Sequence, residues 1–211
     1  MIKKQRDDNI LRFIEQNNGI SISQCANVFY HNHKFAYNEA RRRLKILEDN
    51  QYLNHFKMPN TGEYVYCMGK SKNISYHNFM ILNVYAKLIN LNFNILTFQK
   101  ELIFSTGKRC DAYFELEYNN QFIPIILEID FSHKTDIYKY DDIYESNELQ
   151  NKYLNKYGTE YTSIFPKIII VTYHSNNQYN YNGLLDYEII NFNLSNLFTK
   201  VLFNTEQLEN I

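Results

Sequence analysis

Two apolar, strand-like segments that carry carboxylates constrain the fold of this chain more than any other feature. Residues 109–117 and 122–130 are largely apolar, and the polar stretch between them predicts a hairpin turn. Asp111 lies early in the first segment, while Glu128 and Asp130 end the second. Ionised carboxylates at the ends of buried strands are costly unless they are paired or bind a cation. The two segments therefore predict a β-sheet with an acidic edge.

The flanking segments extend this pattern on both sides. A helix is predicted over about residues 75–90 and a strand over 94–104. After the hairpin, a polar stretch over 141–157 is predicted to be helical, and the continuous apolar run 167–173 is typical of a strand buried on both faces. We therefore expect an α/β (α+β) chain with a mixed-sheet domain over residues 71–211.

Residues 1–70 carry the pattern of a helix-turn-helix. A helix is predicted over about residues 6–16, and the Asn-Asn-Gly sequence that follows favours a left-handed stop. Ser21 and Gln24 fit a capping box that opens a short second helix. A third helix is predicted over residues 35–48, with its apolar side chains on one face.

The opposite face of the third helix has the chemistry of a DNA-recognition helix. Arginine can bind phosphates or guanine edges, and asparagine can bind adenine. The alternative is a merely solvated helix face. The residues expected to contact DNA are Lys34, Tyr37, Asn38, Arg41, Arg42 and Lys45, with Arg43 beside them.

A second hairpin follows this helix. Residues 52–57 and 63–68 alternate as strands do around a Pro-Asn-Thr-Gly sequence, and Lys57 lies near the predicted tip. A hairpin in this position is the wing of a winged helix-turn-helix, so residues 1–70 are expected to bind DNA. A winged helix used for protein contacts or dimerisation is the alternative.

The charge distribution agrees with DNA binding by the amino-terminal part. Residues 1–70 carry a net charge of +4 and residues 71–211 carry −5, which together give the −1 of the whole chain. Clustered cations matter more for nucleic-acid affinity than the charge of the whole chain. The acidic part is therefore expected to face DNA only through a bound metal or a partner protein.

Composition and the absence of several motifs limit the classes of protein to which this chain could belong. No apolar run approaches the roughly 18 residues of a membrane span, and the opening residues lack a signal peptide, so we expect a cytoplasmic protein with no membrane partner. Cys25, Cys67 and Cys110 are far apart and are expected to be small buried residues. The absence of phosphate-binding glycine loops and of a G-x-S-x-G elbow argues against ATPases, dehydrogenases and hydrolases of those types.

The order of helix, three strands, helix and strand, with an Asp early in the second strand and Glu-x-Asp ending the third, resembles the PD-(D/E)xK nuclease superfamily. With the winged helix in front, the chain looks more narrowly like the replication-relaxation family of plasmids and other mobile elements. His77 and the Lys152-Tyr153 pair also suit that family. The resemblance covers most of the chain and implies a restriction-endonuclease-like core.

The resemblance implies a metal-dependent chemistry for the acidic edge. Asp111 and Glu128 would be the ligands of Mg²⁺, and Mg²⁺ is the expected cofactor if the site cleaves DNA, with none otherwise. The lysine that normally lies two residues after the Glu is replaced by Asp130. Lys134 or Lys152 could supply an amine from another position. Endonuclease activity and a core retained as a structural or binding platform both remain open.

The acidic residues also have purely structural interpretations. Asp111 could pair with Arg109 or Lys108, and Glu128 and Asp130 could pair with lysines of the polar helix. Glu115 and Glu117 alternate with apolar residues along their strand and are expected on its solvent face.

Two functions follow as hypotheses. The first, whose cellular process is what the resemblance implies, is a double-stranded-DNA-binding protein of a plasmid or mobile element that acts in DNA replication or relaxation, alongside a replication or relaxase protein. The second is a non-enzymatic transcriptional regulator or accessory factor, whose carboxyl-terminal domain mediates homodimerisation or recruits a partner. Dimerisation on a repeated or palindromic site would be expected under the second hypothesis.

Overall fold

The chain contains helices and two separate β-sheets, which places it in the α+β class. The computed structural model describes residues 5–59, 61–69, 74–161, 163–173 and 179–202. The chain divides into two compact units, Met1–Asn92 and Phe93–Ile211. The domain boundary expected near residue 70 falls at residues 70–73, which lie outside the described residues.

The first unit combines helices with a small antiparallel sheet of strand order β1-β3-β2. Its elements are α1 (Gln5–Asn17), β1 (Ile20–Ser21), α2 (Ile22–Phe29), α3 (Ala36–Asp49), β2 (Asn54–Lys57), β3 (Tyr64–Cys67) and α4 (Tyr76–Asn90). The three helices and the hairpin predicted over residues 6–68 are all present.

Local sequence signals set the ends of α1 and α2 as expected. Asn18 adopts a left-handed conformation, with φ of 65°, directly after α1. At the start of α2, the Ser21 hydroxyl accepts a hydrogen bond from Gln24 N at 3.1 Å, and Ser21 N donates to Gln24 Oε1 at 2.9 Å. The predicted capping box is therefore confirmed.

A buried glutamine ties α4 to the first unit. Gln24 Nε2 donates to Phe79 O at 3.1 Å and to Asn83 Oδ1 at 2.7 Å. Phe79 itself is fully buried. We expected this helix in the second domain, but α4 falls within the first compact unit.

The second unit is built on a five-stranded mixed sheet of order β4-β5-β6-β7-β8. Neighbours from β4 to β6 are antiparallel, and neighbours from β6 to β8 are parallel. The elements are β4 (Asn94–Lys100), β5 (Ala112–Tyr118), β6 (Gln121–Asp130), α5 (Lys139–Glu145), α6 (Glu148–Tyr157), a short 3-10 helix (Thr159–Tyr161), β7 (Lys167–Thr172), β8 (Tyr187–Asn191) and α7 (Leu197–Leu202).

The predicted elements of this unit need three corrections. The strand expected over residues 94–104 ends at Lys100. The helical stretch expected over 141–157 begins earlier and forms two helices, because Asn147 adopts a left-handed φ of 55° between them. Strand β8 and helix α7 were not predicted from the sequence.

The β5–β6 hairpin turns where the sequence predicted. Asn119 and Asn120 have φ of 50° and 63°, and Tyr118 pairs with Gln121 around them. Positive φ at both central residues is the signature of a type I′ turn, whose twist matches that of the paired strands.

The second unit has a buried core around Tyr113 of β5 and Ile126 of β6, which includes Tyr140 and Ile143 of α5 and Tyr153 of α6. Successive side chains of a strand point to opposite faces. Asp111, Glu115, Glu128 and Asp130 therefore share the face that carries Tyr113 and Ile126. In the parts of the chain that the structure describes, no helix is long and apolar enough to cross a membrane.

Candidate functional site

Helix α3 presents a polar face opposite its buried residues. Ala40, Leu44 and Leu47 are fully buried in the first core. The side chains expected to contact DNA are all exposed, namely Lys34, Tyr37, Asn38, Arg41, Arg42, Lys45 and Lys57. The structure thus places Tyr37, Asn38, Arg41, Arg42 and Lys45 on α3, with Lys34 just before the helix.

The cationic side chains of this face differ in whether they form ion pairs within the protein. Lys45 Nζ lies 2.9 Å from Glu48 Oε2 and 3.1 Å from Asp49 Oδ1. The hydrogen bonds that Lys45 donates to these carboxylates raise its pKa to about 12. Part of its charge is thereby offset, so Arg41 and Arg42 are the stronger candidates for phosphate or base contacts.

Arg43 has a structural role instead of lying on the exposed face. Its guanidinium binds the carboxylate of Asp7 through two nitrogens, and Asp7 is fully buried. The hydrogen bonds that Arg43 donates to Asp7 raise the pKa of Arg43 above its ordinary value. This pair joins α1 to α3 and holds α3 in place.

The hairpin after α3 places Lys57 at the end of β2, opposite Tyr64 of β3. Met58 N donates to Glu63 O at 2.8 Å, which closes the loop beyond the strands. His55 binds Glu48 of α3 and packs edge-on against Tyr64, with ring centroids 5.1 Å apart. The hairpin is therefore attached to α3 by a side-chain contact, and residue 60 at its tip lies outside the described residues.

In the second unit, the hairpin register brings Asp111 and Glu128 together. Ala112 pairs with Leu127, so Asp111 and Glu128 occupy the next position across the two strands. The Asp111 carboxylate accepts a hydrogen bond from Ile129 N at 2.8 Å. Glu128 is only 4% exposed. Burial and the nearby charge of Asp111 raise the pKa of Glu128 to about 7, against the opposing effects of Lys139 and Tyr140.

Lys139, which the sequence analysis did not single out, supplies an amine to this pair. Its Nζ lies 2.6 Å from Glu128 Oε1 and donates to Arg109 O at 2.9 Å. The hydroxyl of Tyr140 donates to the same glutamate oxygen. Both residues open α5, which begins before the predicted helix did. In the sequence, the only indication of these contacts was the expectation that lysines of the polar helix could pair with Glu128.

Asp130 is engaged in holding the segment that follows β6. Its carboxylate accepts hydrogen bonds from Thr135 N, from Thr135 Oγ1 and from the Tyr179 hydroxyl, each at 2.7 Å. Asp130 is 5% exposed. These contacts give Asp130 a structural role in this part of the chain.

Lys152 lies with Glu115 rather than with Glu128. Its Nζ is 2.8 Å from Glu115 Oε1, and Lys156 Nζ is 2.5 Å from Glu115 Oε2. Glu115 is fully buried, so its expected position on a solvent face is wrong. The strand face that it shares with Tyr113 is covered by α6, which brings the two lysines to it.

The remaining residues named from the sequence have the following positions. Lys134 is exposed after β6, and His77 is half-buried in α4 of the first unit. Arg109 Nη1 lies 4.0 Å from Glu101 Oε2, and Lys108 Nζ lies 3.7 Å from Asp142 Oδ2. Cys25, Cys67 and Cys110 are buried, as expected.

The donor set at Asp111 and Glu128 is compatible with magnesium. Within the described ranges, no group of three or more His, Cys, Asp or Glu side chains could hold a metal ion. Mg²⁺ commonly binds through one or two carboxylates, completed by water and substrate phosphate. Two adjacent carboxylates therefore fit this cation, whereas they do not form a closed cage of protein ligands.

Comparisons with protein-family models, with curated proteins and with solved structures found no match to this chain.

Proposed function

We propose that this chain binds double-stranded DNA through its first unit, which acts as a winged helix. The order of helix, strand, two helices and hairpin, with β1 paired to β3, agrees with that architecture. Helix α3 would enter a major groove, and the β2–β3 hairpin would lie against the backbone.

The observation that carries this proposal is the exposed cationic face of α3. Arg41 and Arg42 are exposed side by side, and Lys34 is exposed just before the helix. Arginine forks bind phosphates and guanine edges, while Asn38 can bind an adenine. Lys57, on the hairpin, would add a backbone contact.

The direct test is duplex affinity as a function of salt concentration. The double variant Arg41→Ala, Arg42→Ala should weaken binding by roughly tenfold to a hundredfold. It should also reduce the slope of log affinity against log salt by up to about 1.8, at about 0.9 for each lost phosphate contact. The matched control is Arg12→Ala, an exposed arginine on α1. Equal affinity and equal slope in the double variant and the wild type would contradict the proposal.

For the cellular role, we propose DNA replication or relaxation of a plasmid or mobile element, with a replication or relaxase protein as partner. This assignment rests on the resemblance of the two-domain order and of the Asp111 and Glu128 positions. A homodimeric regulator whose second unit recruits a partner is the competing role.

The second unit has a candidate phosphodiesterase site of the PD-(D/E)xK type. The specific observation in its favour is Lys139, whose ammonium lies 2.6 Å from Glu128 Oε1. The sequence has Asp130 where that superfamily places its lysine, and Lys139 brings an amine to the same glutamate from α5. A cation beside the carboxylates could position a water and offset phosphate charge.

Some residues of this site would bind the metal ion, and others orient the glutamate ligand and the amine. Asp111 and Glu128 would hold Mg²⁺, which supplies a Lewis acid for the phosphate when bound. Tyr140 fixes Glu128 by its hydrogen bond, and the Arg109 carbonyl fixes the Lys139 ammonium. The side chains are thereby oriented before any substrate arrives.

Calorimetric titration with Mg²⁺ and Mn²⁺, paired with nicking of supercoiled plasmid, tests this site. Asp111→Ala and Glu128→Ala should abolish both metal binding and nicking. Lys139→Met should abolish nicking with metal binding retained. Lys152→Met is the matched control, because its amine binds Glu115. A wild-type chain that neither binds metal nor nicks would identify the second unit as a binding platform.

A further inference from the structure

Two aromatic rings lie exposed at the start of α3, among the cations of the proposed DNA face. Phe35 is 60% exposed and Tyr37 is 50% exposed. Isolated exposed apolar side chains are common, but these two flank the position where α3 begins. The Lys34 ammonium lies 5.5 Å from the Phe35 ring centroid, within range of a cation–π contact.

The spacing of these residues places a ring beside a hydrogen-bonding amide. Asn38 and Arg42 are four positions apart on α3 and so lie on one stripe of the helix surface, and Phe35 is the residue directly before the helix, three positions before Asn38. Helical side chains four positions apart have Cβ atoms roughly 5–6 Å apart. The amino-terminal end of α3, together with Phe35 directly before it, therefore offers one apolar contact and one amide to neighbouring positions on a ligand.

We propose that the amino-terminal end of α3, together with Phe35 directly before it, reads A·T base pairs, with Phe35 contacting the C5-methyl group of a thymine next to an adenine bound by Asn38. This inference rests on the proposed function, since it assigns base specificity to the same DNA-binding face. Phe35 would add an apolar contact that arginine and asparagine cannot supply.

The chemistry of the groove favours this occupant. The thymine methyl group is the apolar feature that bases present in the major groove, and phenylalanine can contact it but cannot accept or donate the hydrogen bonds of the other base edges. The surrounding charges are complementary to a polyanion, because Lys34, Arg41 and Arg42 are all exposed. An apolar protein partner would leave these cations without counter-charges.

Thymine-to-uracil replacement tests the contact, because it removes only the methyl group. Duplexes would first be selected from a random library with the full-length wild-type chain, and each thymine of the bound site would then be replaced singly by uracil. At one position next to an adenine, the wild type should lose about fourfold in affinity, the equivalent of ~0.8 kcal/mol for one buried methyl group. Phe35→Ala should bind thymine and uracil duplexes equally at that position.

Phe35→Leu is the conservative variant and should retain discrimination against uracil, since it keeps an apolar contact. Thermal unfolding followed by circular dichroism checks that both variants fold, which their exposed position favours. Equal wild-type affinity for thymine and uracil at every position would overturn this inference and leave the proposed DNA binding intact. Failure of the wild type to bind any duplex would overturn both.

Discussion

Opposing effects at the candidate metal centre set the pKa of the buried Glu128. Burial and the Asp111 carboxylate disfavour its ionised form, while Lys139 and Tyr140 stabilise that form. The net effect raises the pKa of Glu128 from 4.5 to about 7. Between those values the folded state binds more protons than the unfolded state. The contribution of Glu128 to stability therefore falls as the pH rises through this window.

Glu128→Gln should remove this dependence, because a glutamine does not titrate. The free energy of unfolding of the wild type, relative to that of the variant, should fall by up to about 3 kcal/mol between about pH 4.5 and pH 7. Urea unfolding followed by circular dichroism at a series of pH values measures this difference. Glu117→Gln in β5 is the matched control. Parallel stability curves for wild type and Glu128→Gln would contradict the expectation.

At the scale of elements, Glu115 attaches α6 to β5. Its carboxylate is bound by Lys152 and Lys156, and also by the Tyr157 hydroxyl at 2.7 Å. Burial alone would raise the pKa of Glu115, but the hydrogen bonds from the two lysines and their neighbours lower it below its ordinary value. Its stabilising contribution is therefore present at neutral pH and is lost as the pH falls into the acid range.

Glu115→Ala should destabilise the chain by roughly 1–3 kcal/mol, because it removes the buried acceptor shared by two lysines and the Tyr113 hydroxyl. The measurement is urea unfolding at neutral pH. Glu117→Ala, two positions along the same strand, should cost less than about 1 kcal/mol. Equal losses in the two variants would contradict the attachment of α6 by Glu115.

The type I′ turn at Asn119 and Asn120 gives a second prediction for an element. Asn120→Gly should stabilise the β5–β6 hairpin, because glycine adopts its φ of 63° without steric cost. Asn120→Ala should destabilise it by about 1–2 kcal/mol, since a left-handed conformation is costly for alanine. Thermal unfolding compares the two variants, and a change of the same sign in both would argue against the turn assignment.

At the scale of the whole molecule, α4 decides where the first unit ends. Gln24 is 2% exposed, and both acceptors of its side-chain amide lie in α4. Without α4, the NH2 group of this amide would lose both of its acceptors. Buried polar groups that lose their hydrogen bonds cost about 1–3 kcal/mol each.

A fragment of residues 1–92 should therefore fold cooperatively, whereas a fragment of residues 1–72 should be less stable by several kcal/mol. Circular dichroism and thermal unfolding of the two fragments measure this. Equal stability would place the boundary near residue 70, where the sequence predicted it. The comparison also indicates which fragment is suitable for DNA-binding studies.

Much of the fold could be predicted from local signals. The capping box at Ser21 and Gln24, the left-handed Asn18 and the turn at Asn119 and Asn120 each follow from the conformational preferences of a few adjacent residues. The break at Asn147 was missed, because a single left-handed residue within a polar stretch does not alter its periodicity strongly.

The same distinction, between what local sequence predicts and what tertiary packing decides, applies to the candidate sites. The sequence alone determined the cationic face of α3 and the closeness of Asp111 to Glu128, because helical periodicity and hairpin register fix both. Only the tertiary structure decided that Lys139 reaches Glu128 and that Lys152 reaches Glu115. The pairing of a helix side chain with a strand depends on where the helix packs across the sheet, and sequence periodicity reports which face is buried but not its position.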